Sequence, residues 1–131
     1  MQMKIYFPGG SRVDAGFNGF KVSTDQSIEG GGAGSAPEPY DLFVASLGTC
    51  AGIYVLSFCK ERQLSTDGLG LDLAVTKDDK SGLVTRIDMT IELPVDFPDR
   101  YRKAICRVAG KCTVKRSLAN PPIINIDTTA V

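Results

Sequence analysis

The sequence predicts an α+β fold, in which a mostly antiparallel sheet packs on two helices. A long apolar stretch near residues 40–63 indicates a buried central helix. Segments that alternate apolar and polar residues flank this stretch on both sides, as strands with one buried face do. A second stretch, after Pro98, has the spacing of an amphipathic helix. At 131 residues, the chain is expected to form a single domain, residues 1–131.

Three strands are predicted before the central helix, at residues 3–7, 12–17 and 20–24. Asn18-Gly19 separates the second strand from the third, and this dipeptide is a strong signal for a two-residue hairpin turn. Residues 25–36 then form a loop with a glycine-rich centre. The loop lacks the Lys-Ser/Thr pair of a Walker phosphate-binding sequence, which disfavours a nucleotide site.

The central helix is predicted from about Tyr40 to Gln63, with Cys50 in its middle. Pro39 precedes it, and proline suits the start of a helix. Asp41 places negative charge in the first turn, where the helix dipole favours it. The apolar run is too short and too often interrupted by glycine to predict a membrane span. A helix that is apolar on every face should be buried on every side.

The second half of the chain predicts a hairpin, two helical segments and a final strand. Strands are expected at residues 69–75 and 83–93, joined by a turn at residues 78–82. A helix should begin at Pro98-Asp99 and end at Gly110, a typical C-terminal cap. Residues 113–118 could form one or two helical turns, and residues 123–126 a last strand.

The composition excludes several classes of function. Fifteen basic and fifteen acidic residues give no net charge, so neither nucleic acid nor a membrane is an expected partner. The absence of histidine excludes Cys–His pairs, Ser–His–Asp triads and histidine-ligated metals. The cysteine spacing contains no zinc motif, and no cofactor motif is present. The N-terminus lacks a signal-like segment, which favours a cytoplasmic location.

Two cysteine-containing segments, residues 39–50 and 109–118, together resemble the OsmC/Ohr family of osmotically inducible and organic hydroperoxide resistance proteins. The resemblance extends over most of the order of elements. It implies an OsmC-like fold and an intertwined homodimer with two long helices at its centre. It also implies thiol-dependent reduction of organic hydroperoxides, with Cys50 as the peroxidatic and Cys112 as the resolving cysteine. An external dithiol would serve as the reductant.

The sequence departs from the family pattern at three points. Family members typically begin the helix with Asn-Pro-Glu, whereas this chain has Glu38-Pro39-Tyr40. Glu38 and Asp41 are the neighbouring acids that could substitute. Thr113 follows the second cysteine in place of the usual proline. Arg12, the only arginine before the central helix, is the candidate for the arginine beside the reactive thiolate.

Peroxide reduction requires a thiolate that becomes a sulfenic acid, and a second thiol that condenses with it. Small neighbours leave space around Cys50, and Cys112 is expected at the start of a helical segment. Cys59 lies nine residues after Cys50, about 180° around a helix, so it cannot face the same site. Cys59 and Cys106 are interpreted as buried structural cysteines.

Apolar side chains of the central helix are candidates for a substrate pocket, although such residues are more often core. These candidates are Phe43, Leu47, Tyr54 and Phe58. The alternative function is a non-catalytic dimer of the same fold that binds a small hydrophobic or sulfur-containing ligand. The departure at Tyr40 favours this alternative, and the pair of cysteines favours the enzyme.

Overall fold

The computed structural model describes residues 1–130, and the chain divides into two compact units, residues 1–45 and residues from 46 onward. Antiparallel sheets and helices confirm the predicted α+β class. In chain order the elements are β1 (Lys4–Gly9), β2 (Arg12–Phe17), β3 (Phe20–Thr24), α1 (Pro39–Glu61), β4 (Gly70–Lys77), β5 (Val84–Glu92), α2 (Asp99–Ala109) and α3 (Thr113–Ala119).

The first unit contains a three-stranded antiparallel sheet in the order β1-β2-β3. The predicted turn at Asn18 and Gly19 is confirmed, because both residues have positive φ, 49° and 79°. Two positive φ values define a type I′ turn, whose twist matches that of the flanking strands. The turn sets Phe17 opposite Phe20 and thereby fixes the register of β2 and β3.

The loop that follows β3 is organised by one buried carboxylate, Asp25, which is 1% exposed. Its oxygens accept hydrogen bonds from the backbone N–H groups of Gln26, Ala33 and Ser35. The Ser35 hydroxyl donates a fourth at 2.6 Å. The hydrogen bonds from Ser35, chiefly that of its side chain, lower the pKa of Asp25 to about 2. The glycine-rich loop is therefore held by its own polar contacts.

In the second unit, α1 buries one stripe of its surface in the core. The buried residues are Leu47, Ala51, Val55, Phe58 and Cys59. The β4-β5 hairpin packs closely at Gly48, where a Cβ atom would lie 3.0 Å from Leu73 Cδ1. Ile53 is 60% exposed, so the predicted burial on every side of α1 is not met within a single chain.

The β4-β5 hairpin covers this core with one apolar face. Leu71 pairs with Ile91, and Leu73 pairs with Met89. All four residues pack against the buried cluster, as the alternating pattern predicts. By length and composition alone, α1 could cross a membrane, and it is the one helix among residues 1–130 for which this is so. The core helix of a soluble protein passes the same test.

The second predicted helix is confirmed as α2, with Ile105 fully enclosed and Gly110 at its C-terminal end. The short predicted helical segment is α3. The predicted last strand, residues 123–126, is wrong, because residues 121–130 have no regular secondary structure and are exposed. Pro121 and Pro122 cannot donate backbone hydrogen bonds, and Ile123 to Ile126 have no neighbouring strand in the described sheets.

Candidate active site

Cys50 lies in the middle of α1, on the border between its buried and its exposed surface. Its side chain is half-buried and packs against the core cluster of the second unit. Gly52, two residues on, would place a Cβ atom in open space, with no heavy atom within 4 Å. The Cys50 thiol is therefore on a rigid element and partly accessible.

Cys112 occupies the N-cap position of α3 and is 1% exposed. Its Sγ accepts a hydrogen bond from the backbone N–H of Lys115 at 3.4 Å. Serine, threonine and asparagine side chains make the same contact at helix starts, and here a thiol takes their place. The predicted position of Cys112 at the beginning of a helical segment is thus confirmed.

The structure brings the segments that carry these two cysteines into one core. Cys112 belongs to the buried cluster, and Cys50 packs against the same cluster. A direct polar contact also joins the two segments, because the hydroxyl groups of Tyr54 and Thr113 lie 3.3 Å apart. Tyr54 follows Cys50 by one helical turn, and Thr113 follows Cys112 directly.

The other two cysteines differ from this pair. Cys59 is fully enclosed in the core, as the sequence predicts. Burial raises the pKa of the Cys59 thiol, and the nearby Arg62 opposes that shift only in part. Cys106 is exposed on α2, so its predicted burial is wrong for the single chain. Cys106 follows the buried Ile105 directly in α2. One residue turns the helix by about 100°, which moves the Cys106 side chain away from the buried face.

A cleft of about 480 Å³ lies along the second half of α1. It is lined by Ile53, Tyr54, Ser57, Phe58, Glu61, Arg62 and Val108. Of the four residues predicted for a pocket, the lining includes Tyr54 and Phe58 but neither Phe43 nor Leu47. Leu47 is buried in the core, and the Phe43 ring contacts that of Tyr40 with centroids 5.2 Å apart. The cleft combines apolar walls with one cation, Arg62, which the sequence analysis did not identify.

Arg12 lies on β2 in the first unit and forms an ion pair there. Its guanidinium Nη2 lies 3.3 Å from Asp14 Oδ2, and Lys21 Nζ lies 2.9 Å from the same oxygen. The Asp14 side chain is fully enclosed, and the hydrogen bond from Lys21 is the main reason that its pKa is lowered. Nothing in the sequence marks Asp14 as buried, because a charged residue between Val13 and Ala15 normally faces solvent on a strand.

Glu38, the candidate acid before α1, holds the preceding loop. Its Oε1 accepts a hydrogen bond from the Ser27 backbone N–H at 2.9 Å. Tyr40, which stands where the family pattern has glutamate, is 44% exposed. Arg12 and Glu38 thus lie in the first unit, and Cys50 and Cys112 in the second. Within residues 1–130, no three cysteine or acidic side chains form a group that could hold a metal ion.

Comparisons with known proteins agree with this arrangement. The family model for OsmC-like proteins matches residues 31–127, a span that includes both Cys50 and Cys112. A comparison with curated proteins gives no match.

Three solved structures show the same fold. One, named for an osmotic stress induced and detoxification response, comes from Psychrobacter arcticus 273-4. It is 20% identical, with 89% of this chain and 87% of that chain covered and a TM-score of 0.78. An OsmC-like protein from Mycoplasma pneumoniae is 13% identical over 92% and 87% of the two chains, with a TM-score of 0.74.

The third structure is the organic hydroperoxide resistance protein OsmC from Legionella pneumophila. It is 14% identical over 89% of this chain and 87% of that chain, with a TM-score of 0.57. At these identities the structures establish the fold, and the family model establishes the membership. From the match over residues 31–127, the chain belongs to the OsmC-like protein family.

Proposed function

We propose that this protein is a thiol-dependent peroxidase that reduces organic hydroperoxides in oxidative-stress defence. The carrying observation is the placement of two thiols against one core. Cys50 is partly accessible on the rigid helix α1, and Cys112 is buried at the N-cap of α3. A relative of the same fold bears the name organic hydroperoxide resistance protein, which supports this substrate class.

In the first proposed step, the Cys50 thiolate attacks one oxygen of the hydroperoxide. The S–O bond forms, the O–O bond breaks, and the alkoxide takes a proton and leaves as an alcohol. Cys50 is thereby oxidised to a sulfenic acid. The family pattern that this chain resembles has an arginine beside the reactive thiolate, and Arg12 is the candidate for that role here.

In the second step, the Cys112 thiolate attacks the sulfur of the Cys50 sulfenic acid. The S–S bond forms and the S–O bond breaks, and the departing hydroxide takes a proton to give water. An external dithiol then reduces the disulfide by thiol–disulfide exchange and is itself oxidised. Only these two side chains are oxidised and reduced in the cycle, and it needs no resident cofactor.

The cleft along α1 supplies a place for the organic part of the substrate. Ile53, Tyr54 and Phe58 give it apolar walls, and it begins within one helical turn of Cys50. An apolar cleft with few polar groups is the usual form of a small-molecule site. Tyr54 and Phe58 are the members of the predicted pocket that line it.

In this proposal the protein acts as a homodimer. Each chain as a whole forms one domain. The exposed side of α1 motivates the homodimer, since only 28% of its most apolar stretch is buried in the single chain. A second copy would cover that side in a closed two-fold pair. Sedimentation equilibrium should show a dimer that persists until unfolding, and a folded monomer at micromolar concentration would contradict it.

Steady-state turnover tests the proposed activity. Wild-type protein with cumene hydroperoxide and a dithiol should consume peroxide, and Cys50→Ser should abolish this. Cys59→Ala is the matched control, because it removes a thiol from the same helix without placing a polar group in the core. Equal turnover by wild type and Cys50→Ser would exclude Cys50 as the reactive thiol.

A second candidate function is non-catalytic binding of a small hydrophobic or sulfur-containing ligand. The engagement of Arg12 by Asp14 favours it, because an arginine paired in its own sheet is less available to activate a thiol. Tyr40 at the position of the family glutamate favours it too. Saturable ligand binding by a protein without peroxide turnover would support this alternative.

A further inference from the structure

The hydroxyl groups of Tyr54 and Thr113 join the two segments that carry the proposed redox cysteines. Their oxygens lie 3.3 Å apart, and 59 residues separate them in sequence. Tyr54 belongs to α1 and packs against the core. Thr113 is the first residue of α3 and is exposed. The contact is therefore a polar link between α1, which packs in the core on one side, and α3, which lies on the surface.

The attachment of α3 is confined to its first residues. None of the residues Thr113–Ala119 is buried, although Val114 packs partly against the core. Cys112, at the N-cap, is buried, and residues 120–130 are all exposed. Segments with few buried contacts open locally at low free-energy cost, so the contacts at its first residues hold α3 beside the buried Cys112.

The position of Cys112 controls the proposed second step. A disulfide requires Cα atoms roughly 4.4–6.8 Å apart and a narrow range of dihedral angles. The Cys112 sulfur also accepts the N-cap hydrogen bond from Lys115, so the start of α3 determines where that sulfur lies. An element that keeps the start of α3 against α1 therefore raises the fraction of time in which attack is possible.

We propose that Tyr54 and Thr113 are positioning residues for disulfide formation between Cys112 and Cys50. The inference rests on the proposed peroxidase function and adds to it a specific control of the resolving step. Neither hydroxyl gains or loses electrons, and neither touches the reacting sulfur atoms in this account.

The test is single-turnover kinetics with cumene hydroperoxide, following two signals. Trapping of the sulfenic acid with dimedone in a Cys112→Ser background reports the first step. Quenched alkylation and mass spectrometry in proteins that retain Cys112 report the disulfide. Thr113→Val removes the hydroxyl at nearly constant shape, and Thr113→Ser retains it.

Thr113→Val should slow disulfide formation about two- to tenfold, the effect of losing one modest hydrogen bond. It should leave sulfenic acid formation at the wild-type rate, and Thr113→Ser should restore the disulfide rate to within about twofold. Tyr54→Phe should add nothing to Thr113→Val in the double variant, because both remove the same contact.

Three outcomes would overturn the inference. A wild-type disulfide rate in Thr113→Val would show that the contact does not position Cys112, and a fully additive double variant would show that the two residues act separately. Equal slowing of both steps would reveal a general structural role. A fourth outcome, in which wild-type Cys50 forms no sulfenic acid, would overturn the proposed peroxidase function itself. The first three outcomes leave that function intact and overturn only the positioning role.

Discussion

The Sγ atom of Cys112 accepts a hydrogen bond from the backbone N–H of Lys115 at 3.4 Å. The proposed resolving thiol is therefore also the cap of α3. This double role determines which substitutions can test the chemistry of Cys112 without also loosening the helix.

Cys112→Ser should preserve the cap and block the redox cycle. A serine hydroxyl accepts the same N-cap hydrogen bond, whereas Cys112→Ala should cost about 0.5–2 kcal/mol of stability. We expect Cys112→Ser to consume one equivalent of hydroperoxide per Cys50 and then stop in the presence of a dithiol. Rapid-quench peroxide consumption measures this, and multiple turnovers by Cys112→Ser would show that Cys112 is not needed for resolution.

Cys50 should react with iodoacetamide at neutral pH far faster than Cys59. Cys50 is half-buried, whereas Cys59 is enclosed and burial raises the pKa of its thiol. We expect at least a tenfold difference, about 1.4 kcal/mol in the accessible thiolate. Peptide mapping after timed alkylation measures both residues in one sample. Equal rates in folded protein would contradict the assignment of Cys50 as the reactive thiol.

Asp25→Asn should destabilise the protein at neutral pH but not in strong acid. The folded-state pKa of Asp25 is about 2, below the ordinary 3.8, so its carboxylate stabilises the fold fully above 3.8. That contribution is lost as the pH falls through about 2. Urea unfolding from pH 7 to pH 2 should therefore show a wild-type advantage that shrinks with acid.

Asp79→Asn serves as the matched control for Asp25, because Asp79 is an exposed loop aspartate. It should leave the stability curve close to that of the wild type. A stability difference between wild type and Asp25→Asn that stays constant down to pH 2 would show that the hydrogen bonds to Asp25 are not charge-dependent.

Arg12→Ala should lower peroxide turnover while leaving the fold intact. Lys21 remains 2.9 Å from Asp14 and continues to neutralise that buried carboxylate. In a refolded heterodimer of Arg12→Ala and Cys50→Ser chains, a site shared between copies should recover part of the activity. Lys21→Ala is the control, since it keeps the pair of Arg12 with Asp14. No recovery in the heterodimer would place Arg12 outside a shared site.

Much of the fold could be predicted because its signals are local. The Asn18-Gly19 turn, the alternation of β4 and β5 and the apolar side of α2 each arise from residues close in sequence. The prediction of a last strand is wrong because a strand needs a neighbouring strand with which to pair. Residues 123–126 have a composition that favours strands, but they pair with no strand of the described sheets.

The features of the site that could not be predicted from the sequence depend on contacts between residues that are distant in the chain. The contact of Tyr54 with Thr113 spans 59 residues, and neither side chain belongs to a motif. The burial of Asp14 depends on cations from two strands, which alternation alone cannot show. Arg62 lines the cleft next to Val108 of α2, a residue distant in sequence, so its place in the lining is visible only in three dimensions.

The central claim is that Cys50 and Cys112 form a disulfide in response to an organic hydroperoxide. Wild-type protein should be treated with one equivalent of cumene hydroperoxide, alkylated in denaturant, digested without reductant and mapped by mass spectrometry. The account predicts one dominant cross-linked peptide that joins Cys50 to Cys112, reversed by a dithiol, with Cys59 and Cys106 alkylated. Oxidation confined to other cysteines, or Cys112 remaining free while Cys50 is oxidised and turns over, would contradict it.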